Sequence, residues 1–459
     1  MQRQKSFDLV IGILGNPSNP DVAWSDEQLN AIKKIGVNTL QLSIAWSWRP
    51  ANEVLNLEDL DDQDIARNYK GRVEKAHRFG FRALAHFGVP KTSAMSDAVP
   101  ECIMDPEIIR KYQNKLAEFL REYDADDVLI YTYDQHAWLC SEFGDCPRCR
   151  GIPLHERLVP FLEALKNAMQ KGKQGSRLWW EPWELSEGQI IEVVERISPE
   201  HFGLIMHNSI AEVYFVNTTD LAFRNIARLA GDRGIPFVGE GFFGGSGEDV
   251  ETITHLACPR LVYQQLEALR NTQGVTGVKE YYGFAPSDFS ANIDLFSRYI
   301  HTPGLAFHQY AEPIADTYGQ AGKIMLEAWE LISNGMEMFP FNTSWWLRFL
   351  CKNPEFQEWK QIKATDWPTP SWKSSRKGFY LVTDEAEQHP WLLEDVGLRS
   401  LAAVRRFERA AKILDEAATL SSSPPKNDIK SQWTDLSKLI ETYKRFGENM
   451  LAIAKQREC

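Results

Sequence analysis

Eight short runs of β-branched and apolar residues recur through the first part of the chain, with helix-compatible stretches between them. The runs are DLVIGILG (8–15), VNTLQLSIAWSW (37–48), FRALAHFG (81–88), DVLIYTYD (127–134), RLWWEPWE (177–184), FGLIMHN (202–208), IPFVGEGF (235–242) and GVTGVKEYYG (274–283). Between them lie stretches such as SDEQLNAIKKIG, DPEIIRKYQNKLAEFLREY and AFRNIARLAGDRG, several of which close on the glycine common at helix C-termini. Strand alternating with helix eight times predicts an α/β fold of the TIM, or (β/α)8, barrel type, which takes ~250 residues. A doubly wound sheet would want a glycine-rich phosphate turn after its first strand, and ILGNPSNP does not supply one.

Past residue 285 helical patterns dominate, in PIADTYGQAGKIMLEAWELISNG and in LRSLAAVRRFERAAKILDEAATL. SSSPPKND (421–428) reads as a loop, and WTDLSKLIETYKRFGENMLAIAKQ as a second long helix. Apolar residues at three and four spacing let these two helices pair as an antiparallel hairpin. The expected division is a catalytic barrel over 1–300 and an α-helical C-terminal region over 301–459, packed on the barrel and supporting it.

A formal net charge of −12 argues against a nucleic-acid or anionic-membrane surface, which needs clustered Lys and Arg. No run of about eighteen apolar residues is present to span a bilayer. The N-terminal MQRQKSFDLVIGILG starts a strand without the apolar core and cleavage site of a signal peptide, so the expected location is cytoplasmic. The oligomeric state is not legible. Fifteen Trp, fourteen Tyr and twenty-four Phe suit either a large core or a cleft in which sugar rings stack on flat apolar faces.

In a (β/α)8 barrel, catalytic groups come from the C-terminal ends of the strands. Those positions hold Asn16, Trp46 and Trp48 with Arg49, His86, Asp134, Glu181 and Glu184, His207 and Asn208, Glu240, and Glu280. Acids dominate strands four, five, seven and eight, and carboxylates converging on an aromatic-rimmed pocket suit glycoside hydrolysis. One acid protonates the departing oxygen while the other attacks, or activates water, at the anomeric carbon. Crowding raises the pKa of one of them. Asp134 is the expected acid/base and Glu240, set among glycines in PFVGEGFFGG, the expected nucleophile or base. Glu280 is expected either in catalysis or on a substrate hydroxyl, with its neighbour Lys279 turned to the opposite face. Trp46, Trp48, His86, Trp180, Glu181, Glu184, His207, Asn208 and Tyr281 are the expected substrate-binding set. Two other readings use the same residues: a non-catalytic carbohydrate-binding barrel, and a metal-dependent sugar isomerase or lyase with His207 among the ligands.

Seven cysteines, an odd number unevenly spaced in a long chain, are not a disulfide framework. Cys140, Cys146 and Cys149 have the spacing C-x5-C-x2-C, whose second half can take two corners of a zinc tetrahedron. Cys102, in the loop after the third strand, is the expected fourth ligand, because loops after strands three and four are neighbours. Four thiolates around Zn²⁺ make a closed, structural site.

A barrel with a cysteine after strand three and a cysteine cluster behind the strand-four acid resembles the family 42 beta-galactosidases of the large retaining glycoside hydrolase clan. The resemblance implies that Cys102, Cys140, Cys146 and Cys149 hold a zinc that ties down loops near the site, with Glu240 as nucleophile. That family carries Asn-Glu at the end of strand four where this chain carries Tyr133 and Asp134, which leaves Glu142 as an alternative proton donor. The chain is also similar, more loosely, to barrel enzymes acting on N-acetylhexosamines and uronic acids that carry helical C-terminal extensions. No organic cofactor is expected, and the expected partner is an oligosaccharide or glycoside.

Overall fold

The computed structural model describes residues 6–15, 24–42, 56–90, 101–132, 140, 142–182, 185–207, 219–244, 256–286, 290–340 and 390–457. Eight parallel strands close into a barrel in sequence order. They are β1 (Leu9–Gly12), β2 (Thr39–Leu42), β3 (Arg82–Gly88), β4 (Asp127–Thr132), β5 (Leu178–Pro182), β6 (Phe202–His207), β7 (Phe237–Gly241) and β8 (Val275–Glu280). Each lies inside one of the eight expected runs, and β8 pairs back onto β1 to close the ring. The expectation of a (β/α)8 barrel is met.

A helix follows each strand: α1 (Asp26–Ile35), α2 (Gln63–Arg78), α3 (Pro106–Tyr123), α4 (Leu154–Gly172), α5 (Glu187–Arg196), α6 (Leu221–Asp232), α7 (Pro259–Asn271) and α8 (Ala291–His301). Their starts are written locally. Ser25, Asp62, Asp105, Ser186, Asp220 and Ser290 each accept from a backbone N–H of the following turn.

The strands bury both faces with a period of two. Ile11, Leu84, Leu129, Trp179, Ile205 and Val238 point inward and fill the lumen as one cluster. Val128, Ile130, Leu178, Trp180, Phe202 and Leu204 point outward to the helices. A Cβ at Gly203 would lie 2.4 Å from the Trp179 ring, so the bare backbone there makes room for the indole that plugs the barrel. Below the plug, Asp127 at the start of β4 accepts from Arg82 (2.9 Å), the Arg177 N–H (2.8 Å) and the Trp179 indole N–H (3.3 Å). This face of a barrel carries stability. Asp127→Ala leaves those donors short of an acceptor and is expected to cost about 1–3 kcal/mol, read as a lowered urea midpoint with unchanged slope.

The C-terminal region is dominated by long helices: α9 (Phe307–Ala315), α10 (Gly322–Met338), α11 (Pro390–Leu420) and α12 (Pro425–Arg457). The linker between the last two is shorter than the expected 421–428, because α12 begins at Pro425; a first helical residue needs no N–H partner, so proline suits it. α11 and α12 run antiparallel, and their backbones meet where Gly397 faces Gly447 and Leu451. Trp329 of α10 donates to Gln432 of α12 (3.0 Å), and Arg260 of α7 pairs with Glu330 (2.9 Å) and Glu337 (2.8 Å) of α10. These contacts seat the helical region on the barrel's outer layer. No helix among the described residues is long and apolar enough to cross a membrane.

Candidate functional site

One step above the lumen plug, toward the C-terminal strand ends, the inward positions become polar. Gln41, His86, Glu181, Glu240 and Lys279 are buried there, with the His207 side chain 10% exposed, on β2, β3, β5, β7, β8 and β6 in turn. Ladder register makes His207 the neighbour of Glu240, and Glu240 the neighbour of Lys279. Adjacent positions on parallel strands share a face, so these three converge by construction.

At the centre, the Lys279 ammonium contacts the Glu240 carboxylate and lies 3.5 Å from Glu181 Oε1. His207 Nδ1 is 3.4 Å from Glu240 Oε2, and His86 Nε2 is 4.0 Å from Glu181 Oε2. Gln41 Nε2 is 3.0 Å from His86 Nδ1. The Tyr281 ring packs edge-on against His207 at 4.6 Å, with Lys279 5.5 Å from its centre. Burial, reinforced by the Lys279 charge, holds His86 down at about 3 and His207 well below the usual imidazole range, so both rings are neutral near pH 7. Burial raises Glu181 against the pull of Lys279, and it lowers Lys279 against the pull of Glu181.

Two expected site residues are placed elsewhere. Glu280, fully buried, turns away from the lumen, and its carboxylate accepts from the backbone N–H groups of Phe243 (2.6 Å), Gly244 (2.9 Å), Tyr282 (2.8 Å) and Gly283 (3.2 Å). Burial pushes it up to about 8 even with those donors pulling the other way. It ties the turn after β7 to the turn after β8 and does not join the central cluster. The expectation that Lys279 and Glu280 take opposite faces is met, but Lys279 is the inward one. Trp180 likewise faces the helix layer, tilted against Phe202 with ring centres 6.4 Å apart, because its neighbours Trp179 and Glu181 take the lumen side. Asp134, Trp46, Trp48, Glu184 and Asn208 lie outside the described residues.

The cysteine expectation is met in space. Cys102, Cys140, Cys146 and Cys149 each offer a sulfur, and the four sulfurs lie within 4.8 Å of one another. Cys102 Sγ is 3.7 Å from Cys146 Sγ and 3.4 Å from Cys149 Sγ. A tetrahedral zinc with bonds of about 2.3 Å sets its sulfurs about 3.8 Å apart, so the cluster has the size a metal would need. Burial and the neighbouring sulfurs push Cys140 up to about 12 and Cys149 up to about 11. Against burial, N–H donors and Cys102 pull Cys146 down to about 7.

The loop that carries the cysteines is clamped from below by Arg157 of α4, which is 2% exposed. Arg157 donates to the carbonyls of Cys140 (2.5 Å) and Ile152 (2.8 Å) and pairs with Glu142 at 3.7 Å. Glu142, the alternative proton donor, is thus held within the cysteine loop. Asp105 and Arg148, 3.2 Å apart, join the loop after β3 to the one after β4.

Gln41, Lys279 and Arg157 are the residues that sequence reasoning missed. Lys279 was concealed by a register shift between β7 and β8: Phe237 faces Val275, but Val238 already faces Gly277. Val275 and Val278 therefore both pack outward although three residues apart, and alternation counted along the sequence loses its phase there.

Glu181, His207 and Glu240 also offer ligand atoms within 4.8 Å of one another, a set that could hold a metal ion. Two clusters of opposite chemical softness thus sit on this barrel, one of thiols and one of carboxylates with imidazole.

No family profile matches the chain, and no curated protein does. Among solved structures it is similar to Cel5A, an endoglucanase of Pseudomonas stutzeri, at 12% identity over 66% of this chain and 98% of that one, with a TM-score of 0.41. It is similar to a glycoside hydrolase family 5 enzyme of Prevotella bryantii at 13% identity over 64% and 95%, TM-score 0.39. It is similar in the same degree to a D-allulose 3-epimerase of Methylomonas sp., at 13% identity over 62% and 87%, TM-score 0.36.

Proposed function

We propose that the chain is a glycoside hydrolase working at the C-terminal mouth of its barrel. Glu240 is its nucleophile and Asp134 its acid/base. The observation that carries this reading is the Glu240 carboxylate, buried at the end of β7 among Glu181, His207 and Lys279. In the retaining sequence Glu240 attacks the anomeric carbon as the bond to the leaving oxygen breaks, and the acid gives that oxygen its proton. Water then cleaves the glycosyl ester as the same acid, now a base, takes a proton from it. Glu181, His86 and Tyr281 are the proposed contacts for sugar hydroxyls, and Trp46, Trp48, Glu184 and Asn208 are proposed to add to them.

The four cysteines are proposed to bind one structural Zn²⁺, with the bound metal fastening the loops after β3 and β4. A soft, thiolate-only donor set suits zinc and leaves no open position for a substrate. Its role is to hold the segment that follows β4, where Asp134 lies.

One observation favours a second reading, a metal-dependent sugar isomerase or lyase: the Glu181, His207 and Glu240 ligand atoms lie close enough for one ion. Turnover of a panel of nitrophenyl galactosides, glucosides, N-acetylhexosaminides, glucuronides and fucosides separates the two. The glycosidase reading expects one sugar class to be cleaved with no loss of rate on brief EDTA treatment. Cleavage of none, with chelator-sensitive isomerisation of a free sugar, would reverse the order of the readings.

A further inference from the structure

We propose that Lys279 occupies the place a divalent ion would take at the barrel mouth, keeping metal out and fixing the Glu240 carboxylate for attack. The positioning half of this rests on the glycosidase reading; the exclusion of metal does not.

The argument begins with the backbone. Because of the register shift between β7 and β8, Lys279 is directly beside Glu240 in the ladder and points into the lumen. Its side chain is 2% exposed, so the ammonium cannot trade its carboxylate partners for water. It contacts Glu240 and sits 3.5 Å from Glu181, two of the three residues that could ligate an ion. An ion shared by Glu181, His207 and Glu240 would lie within a few ångströms of that ammonium, and like charges so close in a buried site repel strongly. The ammonium also offers the charge that a metal would bring: it balances one of two neighbouring carboxylates. A lysine held this way orients the Glu240 oxygens as a positioning residue, without itself forming a bond to substrate.

The test is titration with Mn²⁺, followed by the electron paramagnetic resonance of the free ion. Mn²⁺ is a hard ion that prefers oxygen and imidazole to thiolate, so the cysteine cluster does not compete for it. Wild type is expected to bind no Mn²⁺ tightly, Lys279→Met to bind one per chain, and Lys279→Met combined with Glu240→Gln to bind none. Lys279→Arg keeps the charge and should still exclude the ion. On the cleaved glycoside, Lys279→Met should lower kcat by about 10²- to 10³-fold, the size of losing one preorganised electrostatic contact, with KM little changed. Stoichiometric Mn²⁺ binding by wild type that Glu181→Gln abolishes would overturn the proposal. So would an unaltered kcat in a folded Lys279→Met. The wild-type titration needs no variant to fold, and it decides the exclusion of metal even if no glycoside is cleaved.

Discussion

If the four cysteines hold the proposed zinc, Cys149→Ser is expected to abolish zinc binding and remove about 3–4 kcal/mol of stability with it, the stabilisation given by a ligand at 100 to 1,000 times its dissociation constant. The reason is geometric. Cys149 is the buried corner of the cluster, 3.4 Å from Cys102 Sγ, and its backbone N–H is already tied to the Cys146 carbonyl at 3.1 Å. A hydroxyl at that corner is a poor zinc ligand, and the three sulfurs left behind cannot close a tetrahedron. Because the unfolded chain has no such site, the binding free energy of the metal is folding free energy. Zinc content by plasma mass spectrometry, paired with thermal unfolding with and without EDTA, reads both quantities. Cys258→Ser is the control: Cys258 is buried at the N-terminus of α7, its thiol donating to the Leu256 carbonyl, and is no part of the cluster, so its zinc content should equal that of wild type. Wild-type protein that carries no zinc and ignores EDTA would contradict the structural-metal reading.

Glu240→Gln is expected to lower kcat on the cleaved glycoside by about four orders of magnitude or more, as removal of a nucleophile does when it works in concert with a partner. The amide keeps the shape of the side chain but supplies neither the negative charge nor the attacking oxygen. It also removes the charge that pairs with Lys279, a fully desolvated contact, so some loss of stability is expected with it. The distinction between chemistry and folding therefore needs two readouts. Circular dichroism and the unfolding midpoint should show a folded variant, while turnover falls far more than any loss of folded protein could explain. Binding of the sugar product should persist within a few fold. Unchanged turnover in folded Glu240→Gln would remove Glu240 from the mechanism.

Much of the fold was legible because barrel rules act locally. Each strand is a short apolar run, six of the eight barrel helices start on their own Ser or Asp cap, and the order of the elements dictates the closure. The cysteine cluster was legible for a related reason: C-x2-C spacing is local, and neighbouring strands bring their loops together. Phase was harder to read. Trp180 and Glu181 were both expected at the site, although adjacent strand residues cannot face the same way. On β8 the one-residue irregularity next to Gly277 turned Lys279 inward and sent Glu280 to its four backbone N–H donors. Sequence alternation carries no signal for such a shift when a glycine stands at the position that would reveal it. Arg157 was missed because an arginine in the first turn of a helical pattern reads as a solvated face. Its burial depends on a loop that the cysteines fold over it.

The most direct test of the central claim is to trap the glycosyl-enzyme. Wild type is incubated with a 2-deoxy-2-fluoro glycoside of the sugar it cleaves, a substrate whose slowed second step lets the ester accumulate, and the protein is digested and mapped by mass spectrometry. The account predicts one sugar per chain, on the peptide that contains Glu240, and no adduct in Glu240→Gln. An adduct on another carboxylate, or steady hydrolysis with no adduct and an inverted product, would contradict it.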